Sequence, residues 1–303
     1  QERSGIRLLT ANSLWPQQGY RFLDTYFTLT KEHYGVSITP VDYVNAAEAA
    51  GNRVNLWVEN KTEQKITNLI QQGAVNTQTR LVLVNAVYFK GAWMAEFDPE
   101  RTKDAPFFLS SDKTATVAMM TMRTTKARYA ETEDAQILFL PYSQHIASLV
   151  VVLPKKIDGL KQLEDSLTAE GIKQWRKQAG RREIEVSLPR FTMTKEIPLT
   201  DVLAAMGMTD AFDPAAADFS RIADTRELFL NSVIHKAFFD VNEKGTEATT
   251  ATALRWTAGG SVSPPGPLVA FRADHPFLFL IQDEATGTIL FLGRLTNPTQ
   301  NGQ

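Results

Sequence analysis

The residues most able to do chemistry are sparse and scattered. Four histidines, His33, His145, His235 and His275, stand far apart along the chain. Glu32 and Asp274 sit beside His33 and His275, but adjacent side chains rarely share one metal, and no HExxH spacing occurs. There is no cysteine, which removes cysteine nucleophiles, thiolate metal sites and disulfides. No Walker motif, dinucleotide glycine fingerprint or GxSxG elbow is found. Gly259-Gly260-Ser261 has the composition of a phosphate loop, yet no strand leads into it and no helix follows. Asp and Glu are spread widely enough that a carboxylate pair in space stays open. The expectation is a protein with no metal and no cofactor, and not an enzyme.

One segment is chemically quiet but unusual. Gly245 to Pro267 has no consistent apolar face and is rich in Thr, Ala, Gly and Pro. A structureless stretch longer than about 15 residues inside a compact domain is uncommon, and is usually functional or disordered. Drawn out as a strand, Thr246, Ala248, Thr250 and Thr252 point to one side and Glu247, Thr249, Ala251 and Ala253 to the other. Apart from Glu247 every one of these side chains is small, so the strip could slide between two strands without demanding a large cavity. Threonine favours β-structure and alanine is indifferent to it. The plainer alternative is a flexible linker, which would more often use Gly and Ser throughout.

The elements around that segment are legible from periodicity. Residues 7–15 and 80–89 read as strands, the second apolar on nearly both faces, as a central strand should be. Strand signals recur at 115–120, 128–131 and 137–153, the last broken at Tyr142 to Gln144 as a hairpin would be. Residues 183–191 and 227–242 are extended, and 277–281 with 288–292 form a hairpin turned at Glu284 to Gly287. Helical spacing runs over 20–34, stopped by Gly35, then over 46–60, 160–178 and 199–206. There is no βαβ rhythm and no internal repeat, so the class is mixed α+β.

With 303 residues, 43% of them apolar, the chain can bury a full core. The net charge of -2 comes from 32 basic and 34 acidic residues. That near balance gives no reason to expect nucleic acid or an acidic membrane as partner. Lys173 to Arg182 is the one modest basic run, and it reads most simply as the solvent face and end of a helix. Ile146 to Leu153, the longest apolar run, is far too short to span a bilayer. Asn60-Lys61-Thr62 is a glycosylation sequon, relevant only to a secreted eukaryotic protein.

The order of motifs resembles the serpin family over almost the whole chain. Leu83-Val84-Asn85-Ala86-Val87-Tyr88-Phe89-Lys90-Gly91-Ala92-Trp93 looks like a central strand of the family's main sheet. His235-Lys236-Ala237 leading to Asn242-Glu243-Lys244-Gly245-Thr246-Glu247-Ala248 looks like the next strand and the hinge of the reactive loop. Ser187-Leu188-Pro189-Arg190-Phe191, the run from Phe271 to Phe279, and Phe291-Leu292-Gly293-Arg294 before Pro298 match three further signatures.

The resemblance implies a single serpin domain over 1–303, with a large central antiparallel-rich sheet, further sheets, surrounding helices and a reactive-centre loop and hinge at 245–267. It implies a suicide inhibitor of serine proteases, with cysteine proteases as the other candidate target. The loop is cut, an acyl-enzyme forms, and the freed hinge inserts into the main sheet. The hinge is Gly245, Thr246, Glu247, Ala248, Thr249, Thr250, Ala251 and Thr252, whose small residues resemble those of inhibitory members. A non-inhibitory serpin acting as chaperone, carrier or storage protein is the alternative. Asn85 and His235 are expected to hydrogen-bond as a latch where the sheet parts. Arg190 and Glu243 are expected to pair at the top of the sheet, over Trp93.

Counting about 14 residues past Gly245, the family's spacing, puts the first bait residue at Gly259, and counting back from Phe271 puts it a few residues later. The scissile bond is therefore expected among Ala258, Gly259, Gly260, Ser261, Val262 and Ser263, with Arg255 a secondary cleavage point. Small side chains favour an elastase-like or subtilisin-like target protease. By resemblance the family's first helices precede Gln1, so a separate N-terminal fragment of the same protein is a further expected partner. The compartment stays open, with an extracellular or periplasmic one preferred to the cytoplasm.

Overall fold

A computed structural model describes residues 2–3, 6–230, 233–246 and 268–300, and the side chains of all of these except 2, 3, 10, 11 and 234. In chain order the elements are β1 (Glu2–Arg3), β2 (Ile6–Pro16), α1 (Asp24–Tyr34), β3 (Ser37–Ile38), α2 (Tyr43–Lys61) and β4 (Leu81–Ala92). Then come β5 (Lys103–Ser110), β6 (Lys113–Thr124), β7 (Arg128–Glu131), β8 (Ala135–Pro141), β9 (Ala147–Pro154), α3 (Leu160–Ser166) and α4 (Ala169–Gln178). They are followed by β10 (Gly180–Arg181), β11 (Ile184–Pro189), β12 (Phe191–Pro198), α5 (Thr200–Ala205), β13 (Ile234–Asn242) and β14 (Gly245–Thr246). The chain closes with β15 (Val269–Arg272), β16 (Phe277–Asp283) and β17 (Ile289–Leu295).

The strands build three sheets. The largest has the order β1-β2-β4-β14-β13-β12 with β3 on β2, and the others are β10-β7-β8-β9-β16-β17 and β15-β11-β6-β5. The residues divide into two compact units. Of the described residues the first holds 2–3, 6–7, 89–193, 239–246 and 268–300, and the second holds 8–88, 194–230 and 233–238.

In the first unit the six-stranded sheet supplies the core. Every residue of β9 is buried, and all but Gln136 of β8. That is why both read as unbroken apolar runs rather than alternating ones. Leu160, Leu163 and Ile172 from α3 and α4 pack with Ile137, Phe139, Val150 and Val152. The helix expected over 160–178 is two helices, because Thr168 caps the second by accepting the Gly171 amide at 3.0 Å. Strands β5 and β12 had no clear sequence signal. β5 is an edge strand that opens with Lys103 and Asp104 and carries Pro106, at the position where proline is tolerated.

In the second unit α2 lays Val54 and Val58 against Val84, Ala86 and Tyr88 of β4. Trp15 meets Trp57 edge-on at 5.9 Å, and the Tyr43 hydroxyl donates to the Trp15 carbonyl at 3.1 Å. Burial pushes the Tyr43 hydroxyl's pKa up, so it stays a neutral donor there. α1 starts at Asp24 rather than Tyr20, since Phe22 bridges to Ala223 instead. Gly35 ends it in the left-handed region, its N–H donating to Lys31 O at 3.1 Å.

Candidate functional site at the hinge

The segment expected to be the hinge begins where β13 ends. Glu243 and Lys244 turn the chain, and β14 runs back beside the strand it has just left. Gly245 and Thr246 pair antiparallel with Asn242 and Val241 on one side and with Ala92 and Gly91 on the other. Two hinge residues thus fill the space between β4 and β13 at this end.

Glycine is required at position 245. Its φ is +146°, and an added Cβ would lie 2.0 Å from Gly91 O and 2.8 Å from Ala92 Cα. Only a residue without a side chain lets the two backbones approach so closely. Thr246, the next residue, is fully buried.

Trp93 closes the site from below. It is 3% exposed, and its indole N–H donates to Asn242 O at 2.9 Å. Its backbone N–H donates to Lys244 O, and that of Phe97 to Glu243 O, so the turn between β13 and β14 is held by main-chain bonds as well. The Glu243 carboxylate accepts from the Thr102 hydroxyl at 2.8 Å and lies 3.6 Å from the Arg190 guanidinium. The Arg190 side chain is 54% exposed and that of Glu243 11%. An ion pair with one wet partner and a long separation contributes little. The hydroxyl-to-carboxylate bond is the shorter, drier contact, and Thr102 carried no sequence signal for it.

Tyr142 is the other residue that sequence reasoning passed over, having assigned it to a hairpin break. Its ring stacks on Trp93 at 4.7 Å with an interplanar angle of 7°, and its hydroxyl lies 2.6 Å from the Thr246 hydroxyl. Nothing local could have marked it, since Thr246 is 104 residues away.

In the second unit β4 and β13 pair directly and in parallel, Ala86 with Lys236, Val87 with Ala237 and Tyr88 with Phe238. Asn85 and His235 stand one residue before this stretch on each strand. The hydrogen bond expected between them is not the one Asn85 makes. Its amide donates to Asn12 Oδ1 of β2 at 2.7 Å, because a side chain standing off a sheet can bond to either neighbouring strand. Asn85 is exposed and His235 half-buried. Lys236, next to His235, donates to Thr67 O at 2.9 Å and pairs with Glu196 at 3.3 Å.

The remaining hinge residues, Glu247, Ala248, Thr249, Thr250, Ala251 and Thr252, lie outside the described residues. So do Arg255 and the cleavage candidates from Ala258 to Ser263. Among the described residues no group of three or more His, Asp or Glu could hold a metal ion, and no helix is long and apolar enough to cross a membrane.

Comparison with known proteins agrees with this geometry. A family model described as "Serpin (serine protease inhibitor)" matches residues 1–298. Human Serpin B3 is 40% identical over 295 residues, which cover 96% of this chain and 74% of that protein. Human leukocyte elastase inhibitor is 40% identical over 299 residues, covering 96% of this chain and 78% of that one. The crystal structure of uncleaved ovalbumin superposes with a TM-score of 0.86 at 34% identity, covering 98% of this chain and 79% of ovalbumin. This agreement over nearly the whole chain, with a large sheet and two further sheets among the described residues, places the protein in the serpin family.

Proposed function

We propose that this protein traps a serine protease by inserting its cut loop between β4 and β13, and that the target is elastase-like or subtilisin-like. The observation that carries this reading is the two-residue strand β14, already paired on both sides. Continued at the same register along β4, Thr250 would face Val87 and Thr252 would face Asn85. Along β13 the same register sets Thr252 opposite His235. The inserting strip would therefore replace the direct pairing of Ala86–Tyr88 with Lys236–Phe238, and would end its first half between Asn85 and His235. Insertion would part Asn85 from His235, the pair expected as a latch where the sheet opens. Each residue added gains backbone hydrogen bonds and buried area, and that energy is available to distort an attached protease. The similarity to leukocyte elastase inhibitor supports the elastase-like choice; the subtilisin-like one rests on the small side chains alone.

Spacing and charge point to different bonds in the loop. Arg255 is the one basic residue between Gly245 and Phe271, and a trypsin-like pocket requires a basic side chain. Cleavage after it leaves ten residues beyond Gly245. That strand is roughly four residues, or about 13 Å, shorter than cleavage at Gly259 would give. Trypsin should therefore cut after Arg255 and escape, while an elastase-like or subtilisin-like enzyme is held after cutting between Ala258 and Ser263. Denaturing electrophoresis of each mixture, with the mass of the released C-terminal peptide, tests both statements. A stable trypsin complex releasing a peptide that starts at Trp256 would make Arg255 the bait. No stable complex with any protease would favour the carrier or storage reading.

A further inference from the structure

Tyr142 is completely buried, and its surroundings hold it in one place. Its ring lies between Trp93, stacked at 4.7 Å, and Phe89, tilted at 5.0 Å. Gly91 leaves room for it, since a Cβ there would come within 2.9 Å of the Tyr142 and Phe89 rings. Its backbone N–H donates to Ala147 O at 2.9 Å, and Met94 N–H donates to Pro141 O at 3.0 Å. The turn that follows is a tight one, with Gln144 and His145 both at positive φ. With the ring and backbone so held, the hydroxyl lies against Thr246.

The partner is equally confined. Thr246 sits between Gly91 and Val241 with no exposed surface, and its hydroxyl lies 2.6 Å from that of Tyr142. Burial raises the Tyr142 pKa, so the phenol remains protonated at any working pH. Two buried hydroxyls that satisfy one another are stable together, and each is costly without the other. Alanine or valine at 246 would leave the phenol with no partner, and phenylalanine at 142 would strand the threonine.

We propose that Tyr142 is a positioning residue for the trap: its hydroxyl seats Thr246 between β4 and β13 before any cleavage, and so sets how readily the rest of the hinge follows. The idea rests on the trapping mechanism above for its consequence, but the seat itself can be measured without a protease. A pre-seated first residue has already parted β4 from β13 at one end, and the remaining insertion need only extend that opening. Losing the seat makes insertion start from closed strands, and the protease has longer to hydrolyse its ester.

The test is a double-mutant cycle on the full chain with Tyr142→Phe, Thr246→Val and both together, and with Thr246→Ser as the variant that keeps the hydroxyl. Hydrogen exchange of the backbone over 238–246 in the uncut protein reads the seat directly. Each single change should speed exchange by about fivefold or more, the scale set by one orphaned buried hydroxyl. The double variant should exchange no faster than either single, because neither hydroxyl is then stranded, and Thr246→Ser should match the parent. Wild-type exchange in Tyr142→Phe, or single effects that multiply in the double variant, would overturn the seat. The number of inhibitor molecules consumed per protease trapped should follow the same pattern. An exchange cycle that behaves as stated, with that number unmoved, would overturn the link to insertion. If the parent protein traps no protease while the exchange cycle holds, the trapping mechanism fails and the seat stands.

Discussion

Strand β4 meets its neighbours in two different ways. Over Ala86–Tyr88 it pairs in parallel with Lys236–Phe238, and the contact is sealed by bulk: Tyr88 is fully buried and its ring lies 6.4 Å from Phe238. At Gly91 and Ala92 it pairs antiparallel with Gly245 and Thr246, and the contact is made by small residues. Gly245 approaches a carbonyl more closely than any Cβ allows, and a pair of hydroxyls replaces the pair of rings. One strand thus carries a stretch that the proposed insertion would pull apart and a stretch already paired with Gly245 and Thr246. Parting the first loses an aromatic contact worth about 0.5–1.5 kcal/mol beyond its buried area. On the proposed mechanism the sheet is easiest to open beside β14.

The comparison breaks most readily at Thr246. Thr246→Arg would force a charge into a site with no exposed surface, at a cost of several kcal/mol unless the residue leaves the sheet. The variant should remain folded with β14 expelled, and trapping should give way to simple cleavage, with more than ten inhibitor molecules cut per protease held. Gel quantification of cleaved and complexed protein decides this, and an unchanged ratio would mean that Thr246 does not enter the sheet.

Gly245→Ala should come next. The new methyl meets the Gly91 carbonyl and the backbone is held at a φ that L-residues avoid, a strain of about 1–3 kcal/mol. Faster hydrogen exchange over 238–246 and a higher inhibitor consumption are expected, with exchange at Ala86–Tyr88 unaltered. Exchange that rises equally at both stretches would show that β4 opens as one piece, and the contrast between its two ends would be lost.

The smallest effect belongs to Arg190. Its guanidinium is half in solvent and 3.6 Å from Glu243, so Arg190→Ala should cost less than about 1 kcal/mol in a melting curve. Thr102→Val removes the shorter bond to the same carboxylate and should cost more. The reverse ranking would restore the ion pair as the main support of the turn.

β8 and β9 were readable because burial on both faces leaves a long apolar signature, and β4 because its run is apolar even though Leu83 is exposed. Leu81 to Phe89 and Ile137 to Leu153 appear as strands close to the expected bounds, the second broken where a hairpin break was expected. Strands with mixed exposure were less readable. β12 alternates poorly, and β5 carries Lys103, Asp104 and Pro106, so neither has the period that marks a strand. The latch was read as a pair because Asn85 and His235 fall on neighbouring strands. Which acceptor an amide chooses depends on side-chain reach, and here Asn85 donates to Asn12 at 2.7 Å.

By itself the sequence determined the family, and it proposed a place for the hinge. Five motifs in order identify the family, and small residues after a glycine are a composition that a sliding strand needs and few other segments do. It also marked Gly245, whose lack of a side chain is a property of the residue wherever it is placed. Only the tertiary structure decided what holds the hinge. The hydroxyls of Tyr142 and Thr246 are 104 residues apart, and Thr102 and Glu243 are 141 apart. Hydrogen bonds demand alignment within a few tenths of an ångström. No spacing rule carries that precision across so much chain, because it is set by how strands register and how rings pack.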